Sequence, residues 1–406
     1  MSNFKDHTIT VSHLLEVIPE ALLSHLSEST NVDYYSKVLH GKKMFYLLLY
    51  GILNNERLSQ RSLEDTFNDS VFKLLFNLDQ SERVRRSSIS ERLSKIDSGF
   101  FKEIYHCIYS QFSDLYSSAD RNKHNLIRVD STMISDVSWK MVAGLDFSSG
   151  KKAVKYSVAF DGTLPCELEV FTEQQYCSED MALPKVVYAH IKQETGHKNL
   201  YVIDRGLQST RNMNDLSQKD ITFVARLKEN RKYQELKSLI RKESSGDLGE
   251  LVLIKDSEVL LYTGKLINNK KGNKHYKEQL VEEPFRLIIS QRKDNPEKEF
   301  WFITNDFDLT AKEVADSYKR RWDIEVFFRF IKQDLNVSHL VSLNKNGIEV
   351  MLYMTLISAM LVLIYKKVNK ISYKTAKRRF SMEIRNLAIA IIVVQCGGNP
   401  DLMFKT

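Results

Sequence analysis

The chain has 406 residues, 43% of them hydrophobic and 27% charged, which is enough apolar material for two or three packed units and excludes a disordered tail. Its 59 Lys and Arg against 52 Asp and Glu leave a net charge of +7, a balance that favours polyanionic partners without naming one. Cys107, Cys166, Cys177 and Cys396 are scattered, with no C-x-x-C pair and no histidine cluster at zinc spacing; this argues against a disulfide framework or a structural zinc site and predicts a reduced, cytoplasmic setting.

The first 120 residues predict an all-helical domain. Apolar residues recur at spacings of three and four (Leu14, Leu15, Val17, Ile18; Met44, Leu47, Leu48, Ile52), and Pro19 is the only proline among them. The opening MSNFKDHTITVSHLLEV lacks a basic region followed by an apolar run and a cleavage site, so no secretory signal is expected. The segments Ser59–Phe67 and Ser87–Ile96 each begin with Ser and carry acidic residues in their early turns, which predicts Ser N-caps. Short capped helices of this kind serve both ordinary bundles and DNA-reading domains, and the basic run at Arg83, Arg85 and Arg86 is equally readable as a solvated face.

From about Asn125 the pattern turns to strands. LIRVDST, KMVAGLDFS, VKYSVAFD and CELEVFTE are short apolar or alternating runs bounded by turn residues, followed by a helical stretch, ALPKVVYAHIKQE, and a further strand, NLYVIDRG. Antiparallel strands, a helix and another strand, in that order, predict a ribonuclease-H-like mixed sheet over residues 121–343. Asp130 is expected to end the first strand and Asp204 the last. Carboxylates at neighbouring strand ends can converge on a hard divalent ion, although an aspartate there can equally start a turn, as expected of Asp146 and Asp161.

Between about Glu229 and Glu299, alternating runs (GELVLI, EVLLYTGKLI, FRLIISQR) predict an inserted antiparallel β subdomain. Its turn NNKKGNKHYK places Lys270, Lys271, Lys274 and Lys277 where they could follow a phosphate backbone, or simply keep a hairpin tip soluble. The core sheet is expected to resume at EFWFITND. Thr310, with Glu313 three residues on, then caps a helix.

On that helix Tyr318, Arg321, Glu325 and Lys332 stand at offsets 0, 3, 7 and 14. At about 100° per residue they fall within about 60° of one another, one polar stripe opposite an apolar back of Ile324, Phe327, Phe330, Ile331 and Leu335. Core packing alone does not call for such a stripe. The remaining region, 344–406, is read as helical; Val350–Tyr365 is nearly without polarity, yet at sixteen residues it is short for a bilayer and is read as a buried helix. The predicted class is therefore α+β: a ribonuclease-H-like core with a β insertion, preceded by a helical domain and followed by C-terminal helices.

The arrangement Y-x(2)-R-W-x(2)-E-x(6)-K at Tyr318, Arg321, Trp322, Glu325 and Lys332 resembles the Tyr-Arg-Glu-Lys signature of the bacterial insertion sequence family 4 transposases, which use a DDE site on a ribonuclease-H-like fold. VDST at Val129–Thr132 is similar to the family's first-aspartate motif and VIDRG at Val202–Gly206 to its second. The resemblance covers about Asn125–Leu343, with NKNGIEVMLYMTLISAML similar to the helix that follows the signature.

The resemblance implies that Asp130, Asp204 and Glu325 are catalytic and bind two magnesium or manganese ions for in-line phosphoryl transfer. It implies DNA phosphate contacts for Arg321 and Lys332, and a stacking or hydrogen-bonding role for Tyr318 near the cleaved end. Lys332, about 10 Å along the helix from Glu325, is expected to serve a different phosphate from the one at the ions. Arg205, beside the second aspartate, either steers phosphate or caps its turn. No tryptophan lies between Glu229 and Glu299 to hold a flipped base, and Trp301 and Trp322 are expected to be packing residues. The implied activity is cut-and-paste transposition: binding of double-stranded DNA at terminal inverted repeats, cleavage, and strand transfer into target DNA by a homodimer, without a membrane and at the nucleoid. A domesticated, non-catalytic DNA-binding protein and a nuclease without strand transfer are the alternatives on the same fold.

Overall fold

A computed structural model describes residues 8–16, 18–55, 57–115, 124–135, 141, 143–146, 150–192, 199–239, 246–268, 274–335, 337 and 341–402. The chain opens with helices α1 (Val11–Glu16), α2 (Glu20–Ser29), α3 (Gly41–Asn54), α4 (Gln60–Asn68), α5 (Ser70–Leu75), α6 (Arg86–Lys95) and α7 (Ser98–Phe112). Ser59 caps α4 as expected, although its reciprocal partner is Ser62 rather than an acidic residue. The second expected cap is displaced: α6 starts at Arg86, with Arg85 at its N-cap and no side-chain capping bond.

The sheet region contains β1 (Asn125–Ser135), β2 (Leu145–Asp146), β3 (Lys152–Phe160), β4 (Pro165–Phe171), α8 (Glu179–Ile191), β5 (Asn199–Ile203), α9 (Thr210–Gln218) and β6 (Thr222–Leu227). β1 pairs antiparallel with β3 and β3 with β4, whereas β5 and β6 run parallel to β1 on its other side. This order, β4-β3-β1-β5-β6 with a helix between β4 and β5, is that of a ribonuclease-H-like sheet, as expected. The expected KMVAGLDFS strand shrinks to the two residues of β2 among those described.

The insertion does not form a detached unit. Its strands β7 (Tyr233–Ser238), β8 (Leu251–Asn268), β9 (Lys274–Leu280) and β10 (Phe285–Arg292) lead to β11 (Glu299–Thr304), and the sheet continues from β6 through β11, β10 and β8 to β7. Edge strands left unpaired attract other chains, and antiparallel addition to β6 removes that edge from the core. The hairpin of β8 and β9 extends beyond this sheet.

The chain then enters α10 (Ala311–Lys319), α11 (Trp322–Asp334), α12 (Lys345–Val368) and α13 (Tyr373–Gln395). α8 and α9 cover one sheet face, packing Leu183, Val186, Met213 and Leu216 onto Ile127, Val129, Tyr201 and Phe223. α10 and α11 cover the other, where Leu126, Val202, Val224 and Phe302 meet Val314 and Ala315, and Phe160 stacks on Phe327 at 4.9 Å. The helices before and after the sheet share one core. α12 packs against α3, α6, α7 and α13, and Glu383 of α13 accepts hydrogen bonds from the Val11 amide and the Tyr365 hydroxyl, both at 2.8 Å. α12 is long and apolar enough to cross a membrane, but 89% of its most apolar window is buried among its neighbours, in agreement with the sequence reading.

One ion pair ties the entry of β1 to the entry of α10. His124 Nε2 lies 3.0 Å from Asp306 Oδ2, and Asp306 Oδ1 accepts the Asp308 and Leu309 amides at 2.8 and 3.0 Å. Burial alone would raise the Asp306 pKa, but His124 and the two amides outweigh it and hold it at about 2, below the ordinary 3.8. The folded-state pKa is depressed, so its stabilisation is present above the unfolded value and lost as pH falls through the folded one. Asp306→Asn is expected to cost about 2 kcal/mol at pH 5, and the gap from wild type in urea unfolding should close as pH falls from about 4 towards 2.

Candidate active site

Side chains alternate along β1, so Arg128, Asp130 and Thr132 all face α11. Each meets a residue of the α10–α11 segment. Arg128, fully buried, donates to Asp323 Oδ2 at 2.9 Å and to the Arg320 carbonyl at 3.2 Å, while its Nη1 binds the Leu126 and Asp161 carbonyls at 2.8 and 2.9 Å. Asp130 meets Arg321, and Thr132 accepts a hydrogen bond from Lys332 Nζ.

Arg128 accompanies a departure from the single helix expected for the polar stripe. Tyr318 belongs to α10, Glu325 and Lys332 to α11, and Arg321 is the N-cap of the second helix. The amides of Arg321, Asp323 and Ile324 bond three residues back, to Tyr318, Arg320 and Arg321, so the chain tightens there. With its carbonyl also engaged by a buried guanidinium, Arg320 sits at a joint that turns Arg321 into the sheet. The apolar back behaves as expected: Ile324, Phe327, Phe330, Ile331 and Leu335 are buried.

Asp130 does not end its strand; it lies in the middle of β1, opposite Val158 of β3. The parallel pairing of β1 with β5, however, stops at Val129 and Ile203. Asp130 and Asp204 are therefore the next residues on adjacent strands, brought side by side where β5 ends and β1 runs on. Arg321 is inserted between them and Glu325. Its Nη1 lies 3.3 Å from Asp130 Oδ2, its Nη2 hydrogen-bonds Glu325 Oε1, and its Nε stands 3.4 Å from Asp204 Oδ1, an ion-pair approach without hydrogen-bond alignment.

The electrostatics follow from crowding. Burial and then the Asp204 charge push the Asp130 pKa up to about 7, against the opposing pull of the Ser131 amide and Arg321. Burial would lower the Arg321 pKa, but Asp204, Glu325 and Asp130 together raise it. Three carboxylates thus surround one guanidinium, and their excess negative charge is that of a site for a hard divalent cation, with oxygen donors throughout. Among the described residues no three His, Cys, Asp or Glu side chains are gathered at metal-ligating distances; the Arg321 guanidinium lies between Asp130, Asp204 and Glu325.

Lys332 reaches the strand that carries Asp130: its partner Thr132 is two residues from Asp130 on the same strand face. Tyr318 is mostly packed, with its ring 5.3 Å from Phe302 and Arg321 5.8 Å over its face; burial first, then Asp204, pushes its pKa up to about 12. Arg205 is exposed beside Asp204, and its carbonyl accepts Gln208 Nε2 at 2.6 Å. Trp301 is a packing residue as expected, its ring 5.9 Å from Tyr233 and its Nε1 bonded to Glu299. Trp322 is not: it is 54% exposed next to Arg321, on the same side of the segment as the polar stripe. Lys270 and Lys271 lie outside the described residues; Lys274 begins β9, and its side chain also lies outside them.

One basic rim was not legible in the sequence. β5 and β6 are parallel neighbours, so the Lys228–Lys232 turn after β6 comes up beside the loop after Asp204. Gln208 joins them, donating to the Arg226 carbonyl at 3.0 Å and accepting the Lys228 amide at 3.2 Å. The two loops border a cleft of about 280 Å³ lined by Gln208, Lys228, Arg231, Lys232, Tyr262 and Glu278, the last paired with Lys232 at 3.0 Å. KENRK reads as an ordinary charged turn until the strand order is known.

The sequence matches the transposase DDE domain family over residues 121–361. It is 26% identical over 343 residues to a protein of Synechocystis sp. described as a transposase for insertion sequence element IS4SA, covering 84% of this chain and 85% of that one. It is 24% identical over 282 residues to a Geobacillus stearothermophilus protein described as a transposase for insertion sequence element IS5377, covering 69% and 67%. Among solved structures, a piggyBac transposase synaptic complex with hairpin DNA aligns with a TM-score of 0.45 and 11% identity, covering 95% of this chain and 80% of that one.

Proposed function

This chain belongs to the transposase DDE domain family, and on that premise we propose that it binds the terminal inverted repeats of its own insertion sequence and moves that element by cutting and rejoining DNA at Asp130, Asp204 and Glu325. It is a DNA transposase, and enzymes of this family work with divalent metal ions. The observation that supports the assignment of the triad is the convergence of these three carboxylates, from two strands and a helix, on a single cation.

The triad carboxylates would hold two magnesium or manganese ions, which when bound acidify the attacking hydroxyl and stabilise the charge that develops at phosphorus. In the DNA-free protein Arg321 balances the carboxylates. Once they are balanced by metal, its guanidinium is placed to grip two phosphate oxygens. Lys332, held over β1 by Thr132, would supply a point charge to a phosphate other than the one at the ions. Tyr318 works through Arg321, whose guanidinium lies over its ring.

The DNA backbone is proposed to run from Arg205 over the rim of Lys228, Arg231 and Lys232 towards β8 and β9. The helices of residues 1–120 carry the repeat-reading surface, 121–343 the chemistry, and 344–406 the support that joins them. Two DNA ends in one complex call for a homodimer.

The chemistry is balanced by water or a terminal 3′ hydroxyl attacking phosphorus while the opposite 3′ oxygen leaves. The test is a duplex ending in the element's inverted repeat with a free 3′ hydroxyl, incubated with a target plasmid and manganese. Joined products are expected. Cutting without joining would reassign the chain as a nuclease, and binding alone as a domesticated DNA-binding protein.

A further inference from the structure

α8 begins beneath the end of β5, on the sheet face opposite α11, and its first residue touches both aspartate motifs. Ser131, next to Asp130, donates its hydroxyl to Glu179 Oε2 at 2.7 Å. Gly206, two residues after Asp204, lies so close that a Cβ there would stand 2.5 Å from Glu179 Cγ and 2.6 Å from its Cβ. No side chain fits in that gap, which is a physical reason for glycine at this position.

Glu179 is itself anchored. Lys155 of β3, wholly buried, places Nζ 2.8 Å from Glu179 Oε1 and 3.0 Å from the Cys177 carbonyl. A buried ammonium requires such partners, and they fix the carboxylate in return. Asp180 then secures the far end of the same loop, accepting the Gln208 and Ser209 amides at 2.7 Å each. An acidic residue that merely favoured a helix N-terminus would need neither the Ser131 contact nor a glycine pressed against it.

We propose that Glu179 is a positioning residue for the metal site: a strut between Ser131 and Gly206 that sets the separation of Asp130 and Asp204. This rests on the reading of those two aspartates as metal-holding. Residues that orient ligands from behind typically change metal affinity by about 10–100-fold when altered. Glu179→Gln keeps the shape but removes the charge that Lys155 and Ser131 hold, and Ser131→Ala removes one end of the strut.

Manganese titration of the full, DNA-free chain, followed by the electron paramagnetic resonance signal of free ion, tests the strut. Glu179→Gln should bind manganese about 10–100-fold more weakly and melt lower, because buried Lys155 loses its counter-charge, whereas Ser131→Ala should bind more weakly in the same direction with thermal melting and repeat binding unchanged. Asp204→Asn is the reference. If it leaves manganese affinity unaltered, the aspartates do not hold the ion and the strut falls with them. If Asp204→Asn weakens binding while Ser131→Ala and folded Glu179→Gln retain wild-type affinity, the strut alone is overturned. Should Glu179→Gln fail to fold, Ser131→Ala decides.

Discussion

Glu325→Gln is expected to reduce cleavage of a labelled terminal repeat by about three orders of magnitude or more, while mobility-shift binding of the same duplex stays within a few-fold. A metal-assisted step draws several kcal/mol from charge placed at the reacting phosphate, and each 1.36 kcal/mol lost is tenfold in rate. The substitution deletes one of the three charges that meet at the cluster and almost no shape. α11 is held by its buried back, with Ile324, Phe327 and Ile331 fully covered, and the carboxamide oxygen that replaces the Glu325 carboxylate can still accept from Arg321. The helix, the joint at Arg320 and the basic rim therefore remain in place. Parallel loss of binding and cleavage would make Glu325 an architectural residue and sink its assignment to the chemistry.

Arg321→Ala is expected to have two separable effects. Without metal the variant leaves Asp130, Asp204 and Glu325 facing one another with no cation between them. Removing one partner of a fully buried pair costs about 3–5 kcal/mol, but Asp204 and Glu325 are 36% and 30% exposed, so solvent reduces the figure to about 2 kcal/mol. Melting in a chelator should therefore fall by a few degrees, and manganese should recover most of that loss by supplying the missing charge. Strand transfer should remain impaired even at saturating manganese, because the phosphate has lost its guanidinium. Melting that is unchanged in chelator, or a loss that manganese does not recover, would show that Arg321 does not balance the cluster.

Much of this site can be read from linear patterns, for reasons that are local. The alternation in LIRVDST and the apolar run before VIDRG report strands because successive strand side chains face opposite ways, and Thr310 with Glu313 reports a helix start through a capping box that the fold retains. Periodicity misleads where a distant group intervenes. Tyr318 to Lys332 has the spacing of one helix, yet the chain tightens at Arg320–Ile324, where Arg128, almost two hundred residues earlier, donates to the Arg320 carbonyl. Trp322 reads as a packing residue by type, yet its helical position lies on the polar stripe and it is exposed.

The sequence by itself determined the order of most elements, which depends on short-range pattern, and its motifs determined the family; Asp130, Asp204 and Glu325 follow from that resemblance as the proposed triad. Only the tertiary structure decided that Asp130 stands in mid-strand beside Asp204, that Arg321 sits among the carboxylates, that Glu179 touches both motifs from the opposite face, and that the KENRK turn lies beside the loop after Asp204. Each of these depends on strand register and on which strand end lies beside which. Such pairings are set by the packing of whole layers, and neighbouring residues in the chain carry no record of them.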